Sequence, residues 1–180
     1  MLIDREKLIL AKIANNIFYT LKIGLLLAVI SVSSCATEFR AINVSILKEA
    51  DELPKIGVLK EKKGYMYLKL DDEYIHKLYP IIQEFDDNAQ EPPYFRTSES
   101  IGAHVSVINK TESQRLNIME INKNFHFTIN KLKLVGSKSI RYYVLEVESP
   151  ELEELRQKYD LPKFLQGFKF HITLATKEPS

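Results

Sequence analysis

The sequence predicts one α+β domain built on a duplicated strand–helix–strand unit. Three observations carry this. The element order strand, helix, loop, strand occurs twice in the C-terminal part of the chain. The last strand of each occurrence carries matching residues: Ala103-His104-Val105-Ser106-Val107 and Phe170-His171-Ile172-Thr173-Leu174. And 180 residues, 45% of them hydrophobic, suit a single domain with a real core.

Ahead of the duplication, Thr37 to Gly57 reads as a transitional segment, with a short strand over Ala41–Leu47 and a turn over Lys48–Pro54. The first unit opens at Tyr65–Leu70, a run of strand formers. Asp71 and Asp72 follow as N-caps, and Tyr74, Ile75, Leu78, Ile82 and Phe85 fall at helical spacing. Pro80 is expected to kink or split that helix. A loop with Pro92-Pro93 leads to the His104 strand. A short helix near Glu112–Ile121 and a strand over Phe125–Val135 separate the units. The second unit begins with a strand over Tyr142–Val147. Ser149-Pro150-Glu151 then supplies an N-cap, a proline at the first helical position and an acidic first turn. Leu152, Leu155 and Tyr159 form an apolar stripe, and a loop with Pro162 leads to the His171 strand.

In a strand, alternate residues share a face. His104 and Ser106 therefore project together, about 6.6 Å apart along the strand, with Val105 and Val107 turned to the core. His171 and Thr173 repeat the arrangement. Two imidazoles and two hydroxyls facing one another suit a phosphodiester. One imidazole activates water, the other protonates the leaving oxygen, and the hydroxyls donate to the phosphoryl oxygens. Which histidine is acid and which is base is not legible here. The formal net charge of +1 argues against a general nucleic-acid coating protein but leaves room for a site that takes one RNA end.

Paired His-x-[Ser/Thr] motifs on equivalent strands of two similar halves resemble the 2H (two-histidine) phosphoesterase superfamily. The stretch Gly64 to Asp72, with Gly102 to Val107, is similar to the Swiss-army-knife RNA-repair 2H domains. The likeness covers roughly Gly64 to Lys177. It implies two antiparallel-sheet lobes around a central cleft, with His104 and His171 facing each other and Ser106 and Thr173 binding phosphate. It implies no metal or other cofactor, and a nucleotide or RNA-end substrate with a 2′,3′-cyclic phosphate or a 2′–5′ linkage. A monomer is expected.

Phe125-His126-Phe127-Thr128-Ile129 is a third match to the motif. It does not follow a strand–helix unit, so His126 ranks below the other two, as a strand histidine or an accessory group. His76 reads as a surface residue on a helix. Arg96 and Lys169 are accessory candidates for phosphate, Lys169 because it shares the face of His171. Tyr94 and Tyr143 are candidates to stack on a base. Glu146-Glu148 and Glu151-Glu153-Glu154 read as a solvated strand face and a helix start. Two rival classes are a zinc hydrolase, which needs a third ligand that no His-x-x-x-His or cysteine spacing supplies, and a non-catalytic binding module for nucleotide, RNA or protein on the same fold.

The N-terminus is a separate matter. Ile23 to Val32 is an apolar run preceded by Arg5, Lys7, Lys12 and Lys22, and it is followed by Ser33-Ser34-Cys35. Ten apolar residues match a signal-peptide core and fall short of a bilayer span. Val32 to Cys35 resembles the lipobox of bacterial lipoproteins, in which the cysteine is lipidated. The expectation is residues 1–34 as signal peptide or N-terminal membrane anchor, Cys35 as lipidation site, and 35–180 as an exported, membrane-anchored domain. The alternatives are an uncleaved anchor and a cytoplasmic chain. With one cysteine, no internal disulfide forms.

Overall fold

The computed structural model describes residues 38–178 apart from 94–96, 98 and 138. The apolar run, the basic residues before it and Cys35 lie outside the described residues. The chain divides into two compact units, 1–41 and 42–180. Of the first, residues 38–41 are described, and they are helical.

The segment expected to be a strand and a turn is a helix instead, α1, over 38–51. Ile42, Val44 and Ile46 alternate with polar residues, which reads as a strand. Ile42, Ile46 and Ala50 also recur every four residues, and those three are buried while Val44 is 60% exposed. Burial of the four-residue stripe decides between the two periods.

Among the described residues, eight strands follow, together with four further helices. Their order is β1 (Ile56–Lys62), β2 (Tyr65–Lys69), α2 (Glu73–His76), α3 (Leu78–Phe85), β3 (Ala89–Gln90), β4 (His104–Ile108), α4 (Lys110–Ser113), β5 (Asn124–His126), β6 (Thr128–Gly136), β7 (Arg141–Glu148), α5 (Pro150–Lys158) and β8 (His171–Lys177). All pairings are antiparallel, in the order β5-β1-β2-β4-β8-β7-β6, with β3 on β8. Strand β1 is an element the sequence reading missed. It joins β2 through Lys63 and Gly64, both at positive φ (54° and 82°), the conformation a tight two-residue hairpin turn requires.

The run expected as one strand, Phe125–Val135, is two strands at opposite ends of this order. Only Phe127 separates them. In a flat sheet those edges would lie about 29 Å apart, whereas one linking residue spans about 7 Å. The sheet is therefore curled until its edges approach. Phe127 makes the crossing by burying its ring 6.0 Å from that of Tyr74.

The expected split of the first helix occurs at Lys77, which leaves Pro80 in the first turn of α3, where its missing N–H costs nothing. Helix α4 is shorter than expected. The Asn109–Glu112 capping box starts it, but further on the Met119 N–H donates to the Tyr159 hydroxyl (3.0 Å) rather than to a helical carbonyl. Ser149 caps α5 as expected, accepting from the Leu152 N–H.

The duplication is visible in three dimensions. Strands β1-β2-β4 and β6-β7-β8 form a palindrome with β4 beside β8 at its centre. The two units share fine detail. Leu70 N–H donates to Ala103 and Val147 N–H to Phe170, at 3.0 and 2.9 Å. Each histidine strand also bulges directly after its hydroxyl residue, at Val107 and at Leu174. One row of six aligned residues, Leu59, Leu68, Val105, Ile172, Leu145 and Leu132, crosses six strands, each 3% exposed or less. Burying a side chain of this size stabilises by about 1.5–3 kcal/mol, so this row locks the register of the whole sheet.

Candidate active site

The register that buries that row also composes the site. Val105 pairs with Ile172. In an antiparallel ladder this sets His104 opposite Thr173 and Ser106 opposite His171, all four on the sheet face away from the buried row. The histidines sit on a diagonal, where backbones are about 7–8 Å apart. Each hydroxyl lies beside both rings. The two motifs thus meet as a single quartet at the centre of the pseudo-twofold.

Both rings are held in the same way. His104 Nδ1 donates to the Gly102 carbonyl at 2.7 Å, and His171 Nδ1 donates to the Lys169 carbonyl at 2.8 Å, each two residues upstream. A carbonyl only accepts, so in the neutral ring the proton is on Nδ1 and Nε2 is the basic nitrogen. Gly102 is suited to this task. It sits at φ +69°, and a Cβ there would strike Asp72 and Lys69. Asp72 in turn accepts from the Ala103 N–H (2.9 Å) and pairs with Lys69. Its carboxyl, opposed by burial but drawn down by Lys69 and Ala103, lies below the usual range. Asp72 is the N-cap residue of α2 but makes no capping bond with its side chain, and the Asp71 carboxylate accepts from the Glu73 N–H at 3.0 Å.

The environments of the two histidines differ. His104 is 6% exposed, whereas His171 is half-buried. The ring of Tyr67 stands edge-on to His104 at 5.7 Å and that of Tyr65 at 6.1 Å, and these two tyrosines stack on each other. Burial pushes His104 down to about 4. The Gly102 carbonyl opposes this, and the positive charges of Lys69 and His171 add to it. Lys69 is the cross-strand partner of His104, whereas Glu146 is the cross-strand partner of His171. The cation thus stands beside one ring and the carboxylate beside the other.

Glu146 corrects the sequence reading. It is not part of a solvated face but is 4% exposed, accepting from Asn130 Nδ2 at 3.0 Å and paired with Lys133 and, at 3.6 Å, Lys169. Burial opposes its ionisation, yet Lys133 holds the carboxyl below the usual range. Tyr65, Tyr67, Lys69 and Glu146 are the site-face residues that the motif search missed. Alternation from Ser106 and His171 across the neighbouring strands would have found them, once the pairing of those strands was known.

The remaining candidates fall as follows. The backbone carbonyl of Lys169 orients His171 while its ammonium faces Glu148 and Glu146. Tyr143 is buried and donates to Asp86 at 2.6 Å, so it is a core residue rather than a stacking platform. His126 lies on the edge strand β5, exposed, 3.2 Å from Glu151. It is three strands from His104 in the sheet order and outside the quartet. Glu151, read as part of a plain helix start, also accepts from the His126 N–H. His76 is exposed on α2, 3.5 Å from Glu73. Tyr94 and Arg96 lie outside the described residues. Among the described residues, no group of three or more His, Cys, Asp or Glu is placed to hold a metal ion, and no helix is long and apolar enough to cross a membrane.

Behind β4 stands Arg156, fully buried on α5. It pairs with Glu112 (2.8 Å), donates to Pro162 O (2.7 Å) and donates to the carbonyl of Val107, the bulge residue after Ser106. One guanidinium from the second unit thereby fixes the histidine strand of the first.

These features are those of a two-histidine phosphoesterase, and comparison with known families agrees. The model of the Swiss Army Knife 2H phosphoesterase domain matches residues 66–179, well over half of the chain. The protein belongs to the 2H phosphoesterase family. No curated protein matches it. At the coarse level, family membership carries phosphodiesterase chemistry and a nucleotide or RNA substrate.

Proposed function

We propose that the protein is a metal-independent phosphodiesterase acting on 2′,3′-cyclic or 2′–5′ nucleotide or RNA phosphodiesters. The observation that supports this is the quartet: two imidazoles and two hydroxyls in one register, each imidazole anchored through Nδ1. In this reading His104 is the general base and His171 the general acid. His104 Nε2 takes a proton from water, and the water oxygen forms the new bond to phosphorus. The bond from phosphorus to the ribose oxygen breaks, and that oxygen receives the proton of His171 Nε2. Ser106 and Thr173 donate to the non-bridging oxygens as the charge on them redistributes. Two contrasts support the assignment of roles. His104 is enclosed by tyrosines beside Lys69, which favours the neutral ring, and His171 is the more exposed of the two, with Glu146 rather than a lysine across the strand pair.

The test is a panel of 2′,3′-cyclic nucleotides, 2′–5′ oligonucleotides and short RNAs with cyclic phosphate ends, assayed in excess chelator. Turnover in chelator is expected. Turnover lost with chelator would point to metal chemistry, and no turnover by folded protein would favour a binding module.

We also propose that residues 1–34 are a leader or anchor, that Cys35 is lipidated, and that the domain from 35 onward is exported at a membrane. The support is the basic start, the ten-residue apolar run and the cysteine that follows it. Fatty-acid labelling of the wild type, lost in Cys35→Ser, is the expected result. Equal labelling of both, or of neither, removes the lipoprotein reading.

A further inference from the structure

We propose that Tyr65 is a positioning residue for the reaction: its phenol donates to Ser106 Oγ and so aims the Ser106 hydroxyl proton at the substrate phosphate. The proposal rests on the phosphodiesterase reading above and adds a residue to it.

The geometry is specific. The Tyr65 hydroxyl and Ser106 Oγ are hydrogen-bonded across the β2–β4 pair. Either oxygen can be the donor, and chemistry chooses between them. A phenol, with a pKa near 10, is a far stronger acid than an aliphatic alcohol, whose oxygen is the better acceptor. With its lone pair engaged by the phenol, Ser106 turns its own proton outward, toward the quartet.

Tyr65 is itself rigidly held. Its ring stacks on Tyr67 at 5.7 Å and 23°. It follows the Lys63–Gly64 turn, where Gly64 N–H donates to Glu61 and Gly64 O accepts from Ser113 Oγ at 2.6 Å.

The duplication explains why one half needs this device. Thr173 occupies the equivalent place in the second unit, and its β-branch restricts χ1 by itself. Ser106 has no such branch, so the bond to Tyr65 sets its χ1 as well as the direction of its hydroxyl proton. A free hydroxyl rotor would lose part of the preorganisation that makes a transition-state donor effective.

Tyr65→Phe keeps the ring, its stack and its edge contact with His104, and removes only the hydroxyl. The expected result is a fall of about tenfold in kcat/KM, the loss of one modest hydrogen bond, with the pH profile unmoved. In a Ser106→Ala background the same substitution should cost less than about twofold, because the route through Ser106 is already gone. Binding of inorganic phosphate, followed by calorimetry in the same four proteins, gives a second reading of the coupling that needs no turnover. If the wild type turns over nothing in the panel but binds phosphate, the phosphodiesterase reading fails while the phosphate cycle still decides on Tyr65. Coupling in the cycle supports the proposal. An unaffected Tyr65→Phe, or an equal loss in both backgrounds, overturns it. Absence of both turnover and phosphate binding overturns both readings.

Discussion

The two halves of the domain hold their histidines alike and surround them differently. In β2–α2/α3–β4 and in β7–α5–β8, the ring nitrogen bonds the carbonyl two residues back, and a bulge follows the hydroxyl. Yet aligned positions diverge: Lys69 against Glu146 beside the ring, Gly102 against Lys169 as the carbonyl, and a tyrosine enclosure against partial exposure. The shared features are those that acid–base chemistry demands of either imidazole. The divergent ones enclose His104 and favour its neutral form. Duplication supplies two equivalent groups, and the proposed mechanism requires them to be inequivalent, so in that reading the divergence marks where the direction of proton flow is set.

The largest break in this comparison comes from the rings themselves. His104→Ala and His171→Ala should each lower the hydrolysis rate by about 10²–10⁴-fold. The double variant should lose little more, because the pair acts as a unit. If one ring proves dispensable, the halves are not partners in proton transfer. The hydroxyls come next. Ser106→Ala and Thr173→Ala should cost about 10–10³-fold in kcat as lost transition-state donors, while His126→Ala, outside the quartet, should leave most activity intact.

A sharper contrast follows from the two carbonyls. Gly102 and Lys169 do the same job with their backbones, but only Gly102 sits at positive φ against a packed wall of Asp72 and Lys69. Gly102→Ala should destabilise the fold by about 1–3 kcal/mol in denaturant titration, with activity falling as His104 loses its anchor. Lys169→Ala keeps the carbonyl and should retain activity within about threefold, since its ammonium is exposed and the buried Glu146 keeps its pair with Lys133. Equal losses in both would mean that the Lys169 ammonium, and not its carbonyl, serves the site.

The sequence shows the duplication because its signal is local: His-x-[Ser/Thr] on an alternating strand, a capped helix before it, and apolar residues between. It shows less of what depends on pairing. Glu146 looks like one carboxylate of a polar strand edge until β8 is laid beside it, and only then does it face His171. Tyr65 and Tyr67 look like ordinary strand formers, and it is the β2–β4 register that stands them against His104 and Ser106. Helix α1 was hidden because Ile42 and Ile46 satisfy both periods, and long-range burial made the choice. The break at Phe127 was hidden because the apolar alternation continues through it, although the chain there passes from one sheet edge to the other.

The smallest expected effect tests the polarity directly. His104 is held at about 4, below its ordinary 6.5, first by burial and then by Lys69 and His171. A histidine depressed in the folded state binds fewer protons there than in the unfolded chain. Its contribution to stability is therefore complete above pH 6.5 and is lost as pH falls through about 4, so stability rises with pH across that window. In the proposed mechanism the acid limb of kcat/KM, an apparent value of the coupled pair, should fall well below pH 6.5. Lys69→Met removes one positive charge beside the ring and leaves the tyrosine enclosure in place. Because burial is the larger cause, the acid limb should move up by only about half a pH unit. An acid limb that moves up while the alkaline limb stays is the result expected of His104 as the base. An acid limb that does not move, or an alkaline limb that moves in its place, would show that Lys69 does not polarise this ring and that the roles are not divided as proposed.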